Sequence, residues 1–417
     1  MALNVLWYYA VGFVIIWVLA ILFKDRLKID IEGPILMRRT LRLRDFIDSI
    51  AKLNPRFWRG GMNIGLPVAF FFMAFMLYLL IETLPTTFSN PQVALILPGI
   101  DIPGSPLFIP LGYGIVALMT VMVIHEFGHG IIARAEGVKI KSIGVLLLAV
   151  LPGAFVEPDE EDVEKSTRIS KLRIYAAGSI FNLIIAAISL LIVMFISVMI
   201  ISSVFVGLPG LTIPGTSITT QPVGLNINGP VFPTFHEEGV KISRVVPKSP
   251  ADGILTPGTI VLGVNGANIS NFNSFINVLN NTGIGENVNF QTTQGNYSVK
   301  VSSNPNNSTR GYIGIMYQQH LVVNSNVGKT VGYQLPWFIY SIKDLFFWIF
   351  LLNFAVGTFN LLPMKPLDGG LLLEELLGYK LSESKVRKIM TPLSYILILI
   401  IAVIIIYGLG KGISLLI

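Results

Sequence analysis

No cysteine occurs in the 417 residues. Disulfides and thiolate metal sites are therefore excluded, and any transition-metal site must draw on His, Asp or Glu. Charge is scarce as well, with 13% charged residues against 53% hydrophobic ones. A soluble domain of ordinary composition carries about 25% charged residues, so this chain has too few to cover a water-facing surface and belongs to the membrane class. Histidine occurs only four times. There is no basic array with interleaved aromatics, so nucleic acid is not expected as a partner despite a net charge of +6. The opening apolar run from Leu3 to Phe23 has no basic segment before it. It is also longer than a signal-peptide core, and is expected to stay as a span.

A helix needs about 20 mostly apolar residues to cross the hydrocarbon. Six stretches qualify, near 3–23, 62–83, 111–134, 172–206, 338–363 and 390–416. Lys and Arg in short loops set orientation. The loop after the first span holds ten of them, from Lys24 to Arg59, whereas none lies between Gly60 and Ala133. Basic residues return from Arg134 to Arg173. These two loops are expected in the cytoplasm, with both termini outside. Asn-X-Ser/Thr acceptor sites at Asn268, Asn280, Asn296, Asn306 and Asn307 all fall in the one long segment that this rule places outside.

Residues 207–235 are rich in Pro and Gly and carry no charge until the long segment proper begins near 236. Val240–Val246 alternates apolar and polar residues like a half-buried strand. Ile260–Val264 predicts a second strand, ended by the turn pair Asn265–Gly266. Phe272, Phe275, Ile276 and Leu279 have helical spacing, and Val288–Thr292 and Tyr297–Val301 predict further strands. The runs Val245-Val246-Pro247-Lys248-Ser249-Pro250-Ala251 and Pro257-Gly258-Thr259-Ile260-Val261-Leu262-Gly263-Val264-Asn265-Gly266 resemble a PDZ domain, with Thr259 where that family usually has an acidic residue. The resemblance implies a groove that takes an extended peptide as an added strand, with Gly239–Ile242 on its carboxylate-loop side. A size filter that binds no peptide is the other reading. The chain thus divides into a first helix and basic loop (1–61), a membrane core (62–206), a connector (207–235), a small α+β insert (236–322) and a second membrane segment (323–417).

Near the end of the third span stands His125-Glu126-Phe127-Gly128-His129. Positions i and i+4 share one helix face, so both imidazoles can reach one zinc. Glu126 can reach a water on that metal, the H-E-x-x-H arrangement of zinc peptidases. Zinc brings the pKa of such a water to about 7, and Glu126 would accept its proton. Two interfacial histidines are the ordinary alternative. Polar groups at membrane depth are costly, however, and mark function by default. A catalytic zinc takes three protein ligands. Asp368, in Asn360-Leu361-Leu362-Pro363-Met364-Lys365-Pro366-Leu367-Asp368-Gly369-Gly370, is the natural third. The prolines would end the fifth span, and Gly369–Gly370 would let the backbone turn. A capping Asp is the alternative.

The two motifs together resemble the site-2 protease family of intramembrane metalloproteases, peptidase family M50. The PDZ-like insert fits the same family, and the resemblance covers roughly residues 111–200 and 236–380. It implies His125, His129 and Asp368 as ligands of Zn2+ and Glu126 as catalytic acid/base. A further motif, Gly178-Ser179-Ile180-Phe181-Asn182, matches the family without its usual Pro. Asn182 is then a substrate-backbone or oxyanion donor, or an interhelical hydrogen bond, and Asn360 carries the same two readings. Residues 139–156 are similar to a membrane-dipping β-hairpin of the family. The acidic run Glu157–Glu164 behind them is expected to be a solvated loop. The expected fold is an α-helical polytopic membrane protein of about six spans with an extracytoplasmic PDZ-like insert. Its expected partners are membrane lipid and a transmembrane protein substrate already trimmed by another protease. A metal-binding transporter or an inactive scaffold are the alternatives. The lack of an internal repeat and the intact Glu126 speak against them.

Overall fold

A computed structural model of the protein describes residues 2–33, 35–40, 42–89, 98–99, 108–148, 151–200, 206–207, 224–225, 234–304 and 307–414. They form two compact units. The first draws its described residues from 1–193 and 342–417, the second from within 194–341.

The chain opens with α1 (Ala2–Leu22) and the single turn α2 (Lys24–Leu27), followed by β1 (Asp30–Glu32), β2 (Ile35–Thr40), α3 (Arg42–Leu53) and α4 (Pro55–Ser89). Next come α5 (Leu111–Ala135), β3 (Ile140–Leu148), β4 (Leu151–Pro158), α6 (Glu160–Lys165) and α7 (Arg168–Ile200). The short pair β5 (Val206–Gly207) and β6 (Gly224–Leu225) precedes β7 (Phe235–Val245), β8 (Ile260–Val264), β9 (Ala267–Asn268) and α8 (Phe272–Asn280). The insert continues through β10 (Asn287–Thr292), β11 (Gly295–Lys300), β12 (Ser302–Asn304), β13 (Asn307–Tyr312), β14 (Ile315–Val323) and α9 (Ser325–Val331). Three helices close the chain: α10 (Gln334–Phe359), α11 (Asp368–Leu377) and α12 (Glu383–Ser414).

Among the described residues, five helices are long and apolar enough to cross a membrane: α4, α5, α7, α10 and α12. The chain is a multi-pass membrane protein. The expected first span is helical as α1, but its apolar stretch among the described residues, Ala10–Leu22, has the length of a shorter helix. Helices α4 and α12 begin several residues before the expected spans, because helical hydrogen bonding continues through charged residues such as Arg56 and Lys385 that hydropathy leaves out. Helix α10 ends at Phe359, short of the expected 363, and the Pro-containing turn 360–367 follows. Most of the connector 207–235 and acceptor Asn306 lie outside the described residues.

The first unit packs through small side chains. Ala69, Ala133, Ala176 and Ala177 are fully buried together with Ile132, Leu361 and Leu372. Membrane helices approach closely where side chains are small, since lipid gives no hydrophobic drive for one helix to seek another. The outward faces are apolar in turn, with Leu191 of α7 64% and Leu399 of α12 64% exposed. The expected hairpin over 139–156 is present as β3 and β4, but it belongs to a four-stranded antiparallel sheet in the order β1-β2-β3-β4. Strand β2 comes from the basic loop and pairs along its length with β3, from Ile35–Leu148 to Thr40–Ile143. Ile143 and Val156 of this sheet bury against Ile47 of α3 and Ile131 of α5.

The second unit is an α+β domain with an antiparallel sheet in the order β11-β10-β8-β7-β14 and β9 beside β8. Its core holds the fully buried Phe275, Phe290, Val240 and Ile242. Helix α8 starts at a capping box between Asn271 and Ser274, a device that satisfies two N–H groups at once. Asn265 and Gly266 both have positive φ between β8 and β9, as a two-residue hairpin turn requires. Gly239–Ile242 does not line an open edge. Val240 pairs with Val261 of β8 on one side and Gln319 of β14 on the other. Acceptor residues Asn268, Asn280 and Asn296 are exposed.

Candidate metal centre and active site

The candidate site lies within the first unit. Helix α5 places His125 and His129 one turn apart, with ring nitrogens Nε2 3.2 Å from each other. Asp368, the first residue of α11, faces both. Its Oδ2 is 3.3 Å from Nε2 of His125, and its Oδ1 is 3.5 Å from Nε2 of His129. Its carboxylate also sits in the first turn of a helix, where unpaired N–H groups favour negative charge.

These separations test whether a metal fits. Ligands held at about 2.0–2.1 Å by one tetrahedral zinc stand about 3.3 Å apart. The imidazole nitrogens are 3.2 Å apart and each has one oxygen of the Asp368 carboxylate at 3.3 or 3.5 Å, so one metal would meet two imidazole nitrogens and that carboxylate, a ligand set that zinc accepts. The three side chains are only 12%, 16% and 15% exposed. Among the described residues this is the one group of three or more His, Asp and Glu that could hold a metal.

The supports around the site come mostly from α7. Ile174, Gly178 and Asn182 recur every four residues and form one face of that helix. His129 donates its Nδ1–H to the carbonyl of Ile174 at 2.8 Å, which leaves Nε2 free to bind a metal. A Cβ at Gly178 would collide with Nε2 of His129 and lie 2.6 Å from Cε1 of His125, so both imidazoles occupy the space its missing side chain leaves. Nδ2 of Asn182 lies 3.2 Å from Nδ1 of His125. Ser179 donates to Oδ2 of Asp368 at 3.1 Å.

The turn 360–368 holds Asp368 through its backbone. Gly369 N–H donates to the carbonyl of Asn360 at 2.8 Å, and Lys365 N–H donates to Ser394 of α12 at 3.0 Å. The Lys365–Pro366 bond is cis. Gly369 and Gly370 are needed for a different reason from the one the sequence suggests. Neither has a positive φ; a Cβ on Gly369 would overlap the Leu361 carbonyl, and one on Gly370 would lie 2.5 Å from backbone atoms of Met364. The half-buried Asn360 stands at the end of α10 and contributes its carbonyl to this turn.

Glu126 faces the sheet. Its Oε2 accepts the N–H of Val156 in β4 at 3.0 Å. Strand β4 is the edge of the sheet next to α5. A cavity of about 690 Å3 reaches His129 and Asp368 and is lined by Val156, Glu157, Ile174 and Tyr175 among others. The acidic run expected as a solvated loop contributes Glu160 and Glu164 to the same cavity. It forms α6, whose N-cap Asp159 accepts the N–H of Asp162, a bond that holds the Asp159 carboxyl below the usual carboxylate range.

The α5 end behind the site is tied down by charge. Arg134 pairs with Asp48 of α3. Glu136, only 5% exposed, accepts from Arg173 at 2.8 Å and from Ser170 at 2.6 Å. The structure therefore brings His125, His129 and Asp368 to one point, with Glu126 beside it and Asn182 behind His125. Sequence reading did not single out Ser179, the carbonyl of Ile174 or the N–H of Val156. Ser179 lay within the quoted Gly178–Asn182 run, whereas the two backbone groups have no side-chain signal.

Several known proteins are similar to this chain. A protein of Methanocaldococcus jannaschii is 29% identical over 371 residues, covering 85% of this chain and 81% of that protein. A membrane-bound transcription factor site-2 protease homologue of Arabidopsis thaliana is 23% identical over 159 residues, which is 38% of this chain and 25% of that protein. The PDZ domain of an SdrC-like protein from Listeria innocua is 23% identical, covering 20% of this chain and 96% of that domain, with a TM-score of 0.18. Its counterpart from Listeria monocytogenes is 20% identical with the same TM-score. At that score the α+β character of the insert rests on its own strand order and helix. Peptidase family M50 matches residues 113–401, a stretch that begins two residues into α5, ends within α12 and contains all of His125, Glu126, His129 and Asp368. The chain belongs to peptidase family M50 and is a metalloprotease of the membrane.

Proposed function

We propose that the protein is an intramembrane zinc protease that hydrolyses a peptide bond within a transmembrane segment of another membrane protein. The observation that carries this reading is the meeting of Asp368 with His125 and His129, which stand on a helix apolar enough to cross a membrane. His125, His129 and Asp368 would hold the metal. A bound zinc would supply a Lewis acid and make water ionise near neutral pH. Glu126 takes the proton of the attacking water and passes it to the leaving amine.

A substrate helix must unwind before its carbonyl can be reached. The edge of β4 offers a partner for an unwound stretch as an added strand. Pairing there would claim the N–H of Val156 and release Glu126 for chemistry. Asn360 is the candidate donor to the substrate backbone or developing oxyanion.

The loop charges and the exposed acceptor residues Asn268, Asn280 and Asn296 support a topology with both termini and the insert outside, and the site near the cytoplasmic face. The substrate is expected to arrive already trimmed by a first protease, and the PDZ-like insert would test its size or its new end. Deleting the insert should then relax selectivity toward untrimmed substrates, and unchanged selectivity would count against that role.

The decisive experiment places wild type and Glu126→Gln in proteoliposomes with a model transmembrane substrate. Wild type should cleave it, and Glu126→Gln should lose about 10²–10⁴-fold while still binding one zinc per chain. Equal cleavage by both would remove Glu126 from the reaction. Absence of zinc from metal-loaded wild type would leave a membrane scaffold as the better reading.

A further inference from the structure

The two candidate ligand histidines are held from behind in different ways. The Nδ1 of His129 meets a carbonyl, Ile174 O, at 2.8 Å. A carbonyl only accepts, so this ring must carry its proton on Nδ1 and present a lone pair on Nε2. The Nδ1 of His125 instead meets an amide. Nδ2 of Asn182 lies 3.2 Å away, and an NH2 group donates, so this arrangement leaves the His125 proton on Nε2. That nitrogen then faces Nε2 of His129 at 3.2 Å and Oδ2 of Asp368 at 3.3 Å, both able to accept it. A ring protonated on Nε2 offers no lone pair there, and a metal ligand needs one.

Asn182 is fully buried, and its Oδ1 has no hydrogen-bond partner. A half-turn of the amide exchanges Oδ1 and Nδ2 in nearly the same space. Oδ1 would then accept Nδ1–H of His125, moving the proton off Nε2. Either orientation leaves one end of the amide unpaired, so the tautomer of His125 decides between them. Helix α10 packs closely on the same residue: a Cβ on Gly357 would lie 3.1 Å from Cβ of Asn182.

We infer that Asn182 is a positioning residue for His125: its amide turns so that Oδ1 accepts Nδ1–H, which frees Nε2 to hold the metal. It does for His125 what the Ile174 carbonyl does for His129, with the difference that it can also reverse. The inference rests on the zinc reading given above. It assigns Asn182 to the face of the imidazole away from Asp368, rather than to the substrate.

The test is zinc affinity by chelator competition on detergent-purified full-length protein, comparing wild type, Asn182→Asp and Asn182→Leu. The cobalt-substituted absorption spectrum serves as a second readout. A carboxylate accepts from Nδ1–H but cannot donate, so Asn182→Asp should keep wild-type affinity or exceed it and keep the cobalt spectrum. Asn182→Leu should weaken zinc by about 10–100-fold and shift that spectrum, while the melting temperature of the chelator-stripped protein stays near wild type. If Asn182→Leu binds zinc as wild type does, the inference is overturned. It is also overturned if Asn182→Asp loses as much as Asn182→Leu. Should Asn182→Leu fail to fold, the Asp variant decides alone: affinity at or above wild type supports the inference, and a tenfold loss overturns it. Wild type that takes up no zinc would instead sink the zinc reading itself, which the wild-type arm shows separately.

Discussion

The four histidines divide evenly between the two units, and the pairs differ in every respect that matters for chemistry. His125 and His129 face each other across 3.2 Å with Asp368 against both, all three less than one-fifth exposed. His236 is exposed on β7 and donates from Nδ1 to Asn324 at 2.7 Å. His320 is half-buried where the pairing of β14 with β7 breaks register between Gln319 and Leu321. Burial lowers its pKa below the ordinary imidazole value; Glu238 opposes the shift and Lys241 adds to it. Both pairs sit on regular elements, so an ordered backbone alone does not make a metal site. What separates them is a converging carboxylate and a neighbour without a side chain, Gly178, that leaves room for two rings.

The sharpest way to break this comparison is to remove one histidine from each unit. His129→Ala should abolish zinc binding and hydrolysis, well beyond the about 10–100-fold that a supporting residue costs, whereas His236→Ala should change neither. Metal analysis and cleavage of a transmembrane substrate would check both. Next in size is the insert core, where Phe290→Ala should cost about 3–5 kcal/mol through the cavity it leaves. Hydrogen exchange of β8 and β10 in the full-length protein would report it.

A smaller but more pointed change is Gly178→Ala. One methyl group there must displace the two imidazoles, and overpacking costs about 1–3 kcal/mol. Zinc affinity should fall by about tenfold or more, and unchanged affinity would show that α7 can retreat from α5. The smallest effect concerns His320. A base whose folded pKa is lowered stabilises the fold fully above its unfolded pKa, and that contribution is lost as pH falls below it. Protection of β14 should therefore weaken as pH falls below the ordinary imidazole value of about 6.5, and His320→Gln should flatten that slope.

The legible parts of the molecule carried local patterns. The i, i+4 pair on an apolar helix located His125 and His129, and β8 ran from Ile260 to Val264, ended by the Asn265–Gly266 turn as expected. Asp368 was legible because a carboxylate followed the prolines that come after an apolar helix. Long-range pairing was not legible. Nothing in Ile35–Thr40 marks it as the partner of β3, and nothing in Ile315–Val323 marks it as the strand that closes the insert sheet on β7. The roles of Gly178, Gly369 and Gly370 were hidden as well, because they depend on which atoms of distant segments arrive beside them.

The pairing of β2 with β3 also sets an order of assembly. Leu36 and Leu147 meet across the sheet although they are roughly a hundred residues apart, a separation that makes the contact late rather than early. Helices α4 and α5 lie between them and must be laid into the bilayer before the sheet can close. Strand β4, which brings the N–H of Val156 to Glu126, is made after both. Asp368 is synthesised later still. A newborn chain therefore carries its His-Glu-His helix in the membrane for some time as an unfinished tool. Among the described residues, four of the five helices long enough to cross a membrane precede Asp368, so the third candidate ligand arrives only after most of the membrane-length helices have been made.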